Sequence, residues 1–100
     1  MKIKAPKSVP VGGHNYKVEQ DPSLALTKGN RGQCDNAKET ITIDSNAIPS
    51  HKTTILLHEV LEAIKFVWFD NDLDHHTLDT ISEGIFQFLG SLGIEIEWDD

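Results

Sequence analysis

The sequence predicts an α+β fold, in which a small antiparallel sheet of N-terminal strands packs on a two-helix hairpin. Short stretches of alternating hydrophobic residues, separated by Gly, Pro, Asn and Asp, fill the first half of the chain and are typical of strands. From Ser50 onward, hydrophobic residues recur every three to four positions, which is typical of amphipathic helices. With 100 residues, 38% of them hydrophobic, residues 1–100 are expected to form a single domain with one modest core.

The first two strands are predicted as a hairpin between Ile3 and Glu19, with its turn at Gly12-Gly13. Paired glycines favour such a turn because they adopt positive φ angles without strain. Pro6 and Pro10 have no backbone N–H to donate, so the first strand of the hairpin is expected at an edge of the sheet.

Further strands are predicted beyond the hairpin. Ser23 to Thr27 is expected to form one strand, followed by a polar loop from Lys28 to Glu39 that is rich in Gly, Asn and Asp. The β-branched run Ile41 to Asp44 predicts a short strand. Near the end of the chain, the alternating segment Ile94 to Trp98 predicts a last strand.

The first long helix is predicted to begin near Ser50, with Ser50, Thr53 or Thr54 as its cap. The apolar stripe that should face the sheet consists of Leu57, Val60, Leu61, Ile64, Val67 and Trp68. Phe66 and Phe69 lie off this stripe, so we expect the second helix to cover them.

The second long helix is predicted from about Asp74 to Ser91, with Asp72 or Asp74 as its cap and Gly90 or Gly93 at its end. Its predicted core residues are Leu78, Ile81, Ile85, Phe88, Leu89 and Leu92. The short connection before it predicts an antiparallel helix pair, in which the second helix starts near the end of the first.

The first helix carries an H-E-x-x-E motif at residues 58–62. Residues four apart lie on one helical face, about 5–6 Å apart at Cβ, so His58 and Glu62 can bind one metal ion while Glu59 lies beside it. In the zinc peptidase motif H-E-x-x-H the glutamate is the general base. Two histidines and one glutamate form a known catalytic zinc set, so one more histidine would complete the site. The competing interpretation is a solvated face on which Glu62 pairs with Lys65.

The second helix begins with two histidines that are candidates for the third ligand. Projected at 100° per residue, His75 lies at the edge of the apolar stripe and His76 points nearly opposite, so His75 is the better candidate. His76 and Glu83 are candidates for outer partners that orient a metal-bound histidine, although a plain surface charge is the favoured interpretation of Glu83.

Composition excludes several classes of protein. The net charge of −7 and pI near 5.0 argue against binding to nucleic acid, since nine scattered Lys and Arg form no basic patch. The single cysteine, Cys34, excludes an internal disulfide and a cysteine-based zinc cluster. The sequence contains no apolar targeting or membrane-spanning segment, so a cytoplasmic protein without a membrane partner is expected.

The strand ending in Ile41-Thr42-Ile43-Asp44, the helix Thr54 to Ile64 and the run Leu73-Asp74-His75-His76 together resemble the small zincin-like metallopeptidases of tailed phages and prophages. The resemblance implies a minimal zincin-like fold, bound zinc, a peptidase-type site and a phage-encoded protein in the host cytoplasm. It assigns His58, Glu62 and His75 as ligands and Glu59 as general base. The departure from the commoner H-E-x-x-H form is Glu62, whose extra charge makes the metal a weaker Lewis acid.

Two functions are therefore expected from the sequence. The first is a zinc metallopeptidase acting on a peptide or protein substrate, with Tyr16 or His14 as candidate oxyanion stabilisers and Ile41 to Asp44 as the edge strand for the substrate. The alternative is a non-catalytic phage accessory or inhibitor protein that binds a host protein, with a structural metal or none.

Overall fold

The computed structural model describes residues 1–99, with Lys28 described by its backbone alone. The elements of this part are, in chain order, β1 (Lys2–Lys4), β2 (Ser8–Val11), β3 (His14–Asp21), α1 (Leu24–Lys28), β4 (Gly32–Asp35), β5 (Thr40–Asp44), α2 (Pro49–Trp68), α3 (His75–Ser91) and β6 (Glu95–Glu97). The predicted α+β class is confirmed, since strands of the first half form the main sheet and α2 and α3 form a helical hairpin against it.

The main sheet has four strands in the order β2-β3-β5-β4. The predicted hairpin is confirmed as β2 and β3, which pair antiparallel across Gly12 and Gly13. β4 also pairs antiparallel with β5, but β3 and β5 are parallel, which the long connection through α1 and β4 allows. The sheet is therefore mixed, and the prediction of a purely antiparallel sheet is wrong. β2 lies at one edge, as Pro10 requires, and β4 lies at the other. β1 and β6 form a separate parallel pair.

Two predictions for the segment between β3 and β5 are wrong. Ser23 to Thr27 begins α1 instead of a strand, because Asp21 Oδ1 accepts hydrogen bonds from the Ser23 backbone N–H and hydroxyl and so organises a helical turn. The predicted loop Lys28 to Glu39 contains β4, whose pairing with β5 outweighs the weak strand preference of Gly, Gln and Asp.

α2 begins at Pro49 with Ile48 as N-cap and without a side-chain cap, so the predicted capping residues lie inside the helix. Its buried residues are Lys52, Thr53, Leu56, Glu59 and Ala63. Part of the predicted stripe, including Val60 and Val67, does pack on the core, but Trp68 is 66% exposed. The buried side of α2 therefore includes Glu59, which the stripe predicted from sequence does not.

α3 has Asp74 as its N-cap, as predicted, with the side chain accepting a hydrogen bond of 2.7 Å from the Thr77 N–H. Leu78 is fully buried and Leu89 half-buried, while the other predicted core residues, Ile81, Ile85, Phe88 and Leu92, are exposed. Phe66 and Phe69 are each about half exposed, so the expected cover by α3 is incomplete. The helix starts beside the middle of α2, where His75 meets His58.

The core lies between the main sheet and α2, and its buried members are Val11, Tyr16, Ile41, Ile43, Leu56 and Ala63. β5 contributes two of them because it is an interior strand, covered by α2. None of the helices within residues 1–99 has both the length and the apolar character needed to cross a membrane.

The hairpin turn contacts the end of α2, and replacing each of its two glycines by alanine should reveal this contact. Gly12 and Gly13 both have positive φ, but a Cβ on Gly12 would collide with Val67 Cγ1 and lie 3.3 Å from Trp68 Cζ2, whereas Gly13 faces open space. Gly13→Ala should cost about 1 kcal/mol from backbone strain, and Gly12→Ala about 2–4 kcal/mol because overpacking adds to that strain. Equilibrium urea denaturation measures both. Equal losses would show that the turn does not pack on α2.

Candidate functional site

A cleft of about 400 Å³ opens between α2, the start of α3 and the edge strand β4. Its lining includes His58, Glu59, Glu62 and His75, which are the predicted metal ligands and general base. Arg31 and Cys34 line it from the β4 side. The structure therefore brings the four principal residues of the predicted site to one concave surface.

His58 is the centre of this group. Its ring centroid lies 4.7 Å from that of His75, with the two ring planes inclined by 70°. Its Nδ1 lies 2.9 Å from Asp79 Oδ1, and ligand atoms of His58, His75 and Asp79 all lie within 4.8 Å of one another. His75 and His76 are both exposed, but His76 lies outside this group. The histidine that α3 brings to His58 is thus His75.

Asp79 is the member of the group that sequence reasoning missed. It follows His75 by four residues, so both side chains project from the same side of α3. That spacing was available in the sequence and could have identified it. Glu83, proposed from sequence as an outer partner or a surface charge, is exposed, and within the described residues it makes no hydrogen bond or ion pair.

Glu62 lines the cleft and also forms an ion pair with Lys65. Its Oε1 lies 3.2 Å from Lys65 Nζ, the pair that the competing interpretation predicts. Yet the same oxygen is inaccessible to solvent and receives no hydrogen bond, because the approach of the ammonium group falls outside hydrogen-bonding geometry. The cation that this oxygen faces is therefore the Lys65 ammonium group, in an ion pair without hydrogen-bond geometry.

The donor chemistry of the cleft fits zinc. Imidazole nitrogen and carboxylate oxygen are both accepted zinc ligands, and His58, His75 and Glu62 supply two of the first and one of the second. The chemistry of this donor set is the observation that fits a cation here. Among the described residues, Asp79 is the carboxylate that joins the two histidines in a group whose ligand atoms lie within 4.8 Å of one another, and Glu62 is not part of that group.

Glu59 is the most buried acidic residue of the cleft, at 8% exposed. Burial, and secondly the charge of Glu62, raises the pKa of its carboxyl group to about 7. The room for this side chain comes from Gly32, because a Cβ there would lie 2.9 Å from Glu59 Oε2. A carboxylate whose pKa is near neutrality suits a general base.

Cys34 faces the same carboxylates. Burial, followed by the charges of Glu59 and Glu62, raises the pKa of its thiol to about 12. The thiol therefore stays protonated at neutral pH, and the thiolate is the form needed for nucleophilic attack or metal binding. Cys34 therefore lines the cleft as a small, uncharged side chain.

The residues predicted from sequence as oxyanion stabilisers lie elsewhere. Tyr16 is 1% exposed and donates its hydroxyl to Asn36 Oδ1 at 2.8 Å, while His14 pairs with Glu39. Neither side chain lines the cleft. Arg31 does, and within the described part of the chain its guanidinium makes no hydrogen bond or ion pair.

The strand available to an extended peptide is β4, which corrects the expectation for Ile41 to Asp44. That run forms β5, which is paired on both sides. In the β4–β5 ladder the Asp44 N–H donates to the Arg31 carbonyl, and because antiparallel pairs alternate, the backbone groups of Gly32 and Cys34 point away from β5. Both residues line the cleft.

The pKa of Glu59 determines how the stability of the zinc-free protein should depend on pH. The ordinary pKa of 4.5 is raised to about 7 in the folded state, so the folded protein holds this proton more tightly than the unfolded chain does. The resulting stabilisation is complete below pH 4.5 and is lost as the pH rises through about 7. Denaturation of the chelated parent should show this fall, and Glu59→Gln should lack it. Parallel pH profiles would contradict the raised pKa.

Comparisons of the chain with models of protein families, with curated proteins and with solved structures found no match.

Proposed function

We propose that the protein is a zinc-dependent hydrolase of the metallopeptidase type, with the zincin-like arrangement that its motif resembles. The observation that carries the proposal is the cleft in which two histidines and a glutamate lie beside a buried carboxylate whose pKa is about 7. His58, Glu62 and His75 are the proposed ligands and Glu59 is the proposed base. In a phage-encoded protein, such an enzyme would act in the host cytoplasm.

Glu62 is preferred over Asp79 as the third ligand because of where each carboxylate lies. Glu62 lines the cleft, whereas the side chain of Asp79 is 57% exposed and is already at an ion-pair distance from His58 Nδ1. A metal on the cleft side also stays accessible to substrate. The Lys65 ammonium group must then share Glu62 with the metal.

When bound, zinc supplies a Lewis acid that polarises a carbonyl group and lowers the pKa of water. Glu59 would take a proton from the attacking water and pass it to the leaving amine, a task that its raised pKa favours. Arg31 would face the negative charge that develops on the carbonyl oxygen. The outward backbone groups of Gly32 and Cys34 would hold an extended peptide by strand addition.

The first test is the metal content of protein purified without a metal-affinity tag, measured by elemental analysis. About one zinc per chain, together with cleavage of a mixed library of quenched fluorogenic peptides, is the expected result. A protein without metal would instead favour the accessory or inhibitor function, acting by protein–protein binding.

Replacing Glu62 separates a ligand from a surface partner of Lys65. Glu62→His restores H-E-x-x-H and should keep zinc-dependent stabilisation, while Glu62→Ala should lose it because the ion is under-coordinated. If Glu62 served only the ion pair, either change would cost no more than about 0.2–0.5 kcal/mol and leave zinc content unchanged. Thermal unfolding with and without added zinc measures the difference. Equal behaviour of both variants and the parent would remove Glu62 from the site.

A further inference from the structure

The helix α3 has two apolar sides, and only one of them packs within the chain. Leu78 is buried and Leu89 half-buried on the side that packs on α2. Beside them, four large apolar residues recur at intervals of four, three and four positions, so they form one stripe along the helix. This outer face consists of Ile81 (39% exposed), Ile85 (36%), Phe88 (62%) and Leu92 (56%). A continuous exposed apolar stripe marks a docking surface.

We propose that the outer face is the contact between two copies of this chain, whose α3 helices pack antiparallel across a two-fold axis. The axis crosses the helix midway between Gly84 and Phe88, so Phe88 of each copy lies over Gly84 of the other. The same pairing places Ile81 of each copy opposite Ser91 of the other. Large residues thus meet small ones reciprocally, as an interface between identical surfaces requires. The inference is independent of the proposed function.

Gly84 is the residue that favours another helix as the occupant. Glycine in the middle of a helix is destabilising relative to alanine. A Cβ on Gly84 would meet nothing within 4 Å in the described part of the chain, and its backbone is ordinary helix. Neither its conformation nor the packing of a single chain therefore calls for glycine, whereas the close approach of a second helix does.

The charge pattern of α3 favours a copy of the same acidic chain. Asp79 and Glu83 lie on the opposite side of the helix from Phe88. The flank of the outer face is uncharged and consists of Thr77, Thr80, Gly84, Gln87 and Ser91. Because each chain carries a net charge of −7, two copies approach with least repulsion through an uncharged surface. A basic partner would instead be bound by acidic residues, which this side of α3 lacks.

The exposed area suits a reversible dimer. At about 200 Å² for a fully exposed Ile, Leu or Phe, the outer face leaves about 400 Å² of apolar surface uncovered on each copy. A specific interface buries about 800 Å² per partner, so the outer face supplies about half of it and the uncharged flank adds to it. An interface at the low end of this range is expected to have a dissociation constant of about micromolar size.

Sedimentation of the full chain between about 1 μM and about 1 mM tests the proposal. The mass should rise from that of one 11.2 kDa chain to that of two. Phe88→Glu and Gly84→Met should each weaken dimerisation about 30-fold or more, with unchanged helix content by circular dichroism, because both positions are open in the single chain. Leu26→Glu is the matched control, since it puts the same charge at a leucine of α1 that is 89% exposed, and it should dimerise like the parent.

Disulfide crosslinking tests the antiparallel arrangement, in chains that carry Cys34→Ser. A mixture of Ile81→Cys and Ser91→Cys chains should crosslink one variant to the other, while each variant alone should crosslink little. Crosslinking of each variant to itself would overturn the arrangement. A dimer that Phe88→Glu and Gly84→Met leave intact would overturn the outer face as the contact. A parent that stays monomeric to about 1 mM, including one whose outer face binds lipid vesicles or another protein, would overturn the second copy as its occupant.

Discussion

Replacing Glu59 by glutamine is expected to abolish hydrolysis while zinc stays bound. The amide cannot accept a proton from water, and the loss of a general base lowers the rate of the chemical step by about 10²–10⁴-fold. Because glutamine has nearly the same shape, it fits the space beside Gly32 and removes the buried charge next to Glu62. Zinc affinity should therefore change little.

The measurement is the turnover of the quenched peptide library alongside elemental analysis of the same sample. Glu97→Gln is a suitable control, because Glu97 is an exposed carboxylate of β6, outside the cleft. If Glu59→Gln lost its zinc, Glu59 would be a ligand. If the variant remained fully active, the base would have to be another residue.

His58→Ala should have the largest effect on the metal. His58 contacts both His75 and Asp79. Its removal therefore takes away one proposed ligand and also the side chain that both of these residues contact. Zinc affinity should fall by more than about 100-fold, beyond the usual effect of losing an outer partner. In the parent, affinity should also fall on acidification, because protons compete with the metal for histidine nitrogens.

His51→Ala provides the matched control, since His51 is an exposed histidine on the same helix but outside the cleft. Chelator competition on both variants and on the parent gives the three affinities. Equal affinities would exclude His58 as a ligand, and a similar loss in His51→Ala would indicate nonspecific binding by surface histidines.

Sequence reasoning could propose the residues of the candidate site that lie on helices because helical spacing is local. The distance between His58 and Glu62 along α2 follows from the period of the helix alone. The same projection favoured His75 over His76, and His75 is the one whose ring contacts His58. What the period could not show is which side of α2 faces the sheet, because α2 packs on strands and on α3, and apolar residues occupy both sides.

The part of the site contributed by β4 was missed for a different reason. A strand containing Gly32 and ending in Asp35 has little intrinsic preference for extended structure, and it forms because β5 pairs with it. Glu59 is buried as a result, since the strand covers it and Gly32 leaves room for it. Neither the pairing nor the raised pKa of Glu59 can be deduced from residues adjacent in the sequence.

The separate ladder of β1 and β6 joins the two ends of the described chain. Lys2 is in register with Glu95, so the ladder closes a loop that spans nearly all of the fold, and closure is least costly after the intervening elements have formed. Trp98, just beyond β6, donates its indole N–H to Thr53 Oγ1 in α2 at 3.1 Å. Since β1 and β6 pair only with each other, release of one strand leaves the other without a partner. Their amide hydrogens should therefore exchange with solvent through one shared opening, instead of by independent fraying at each end.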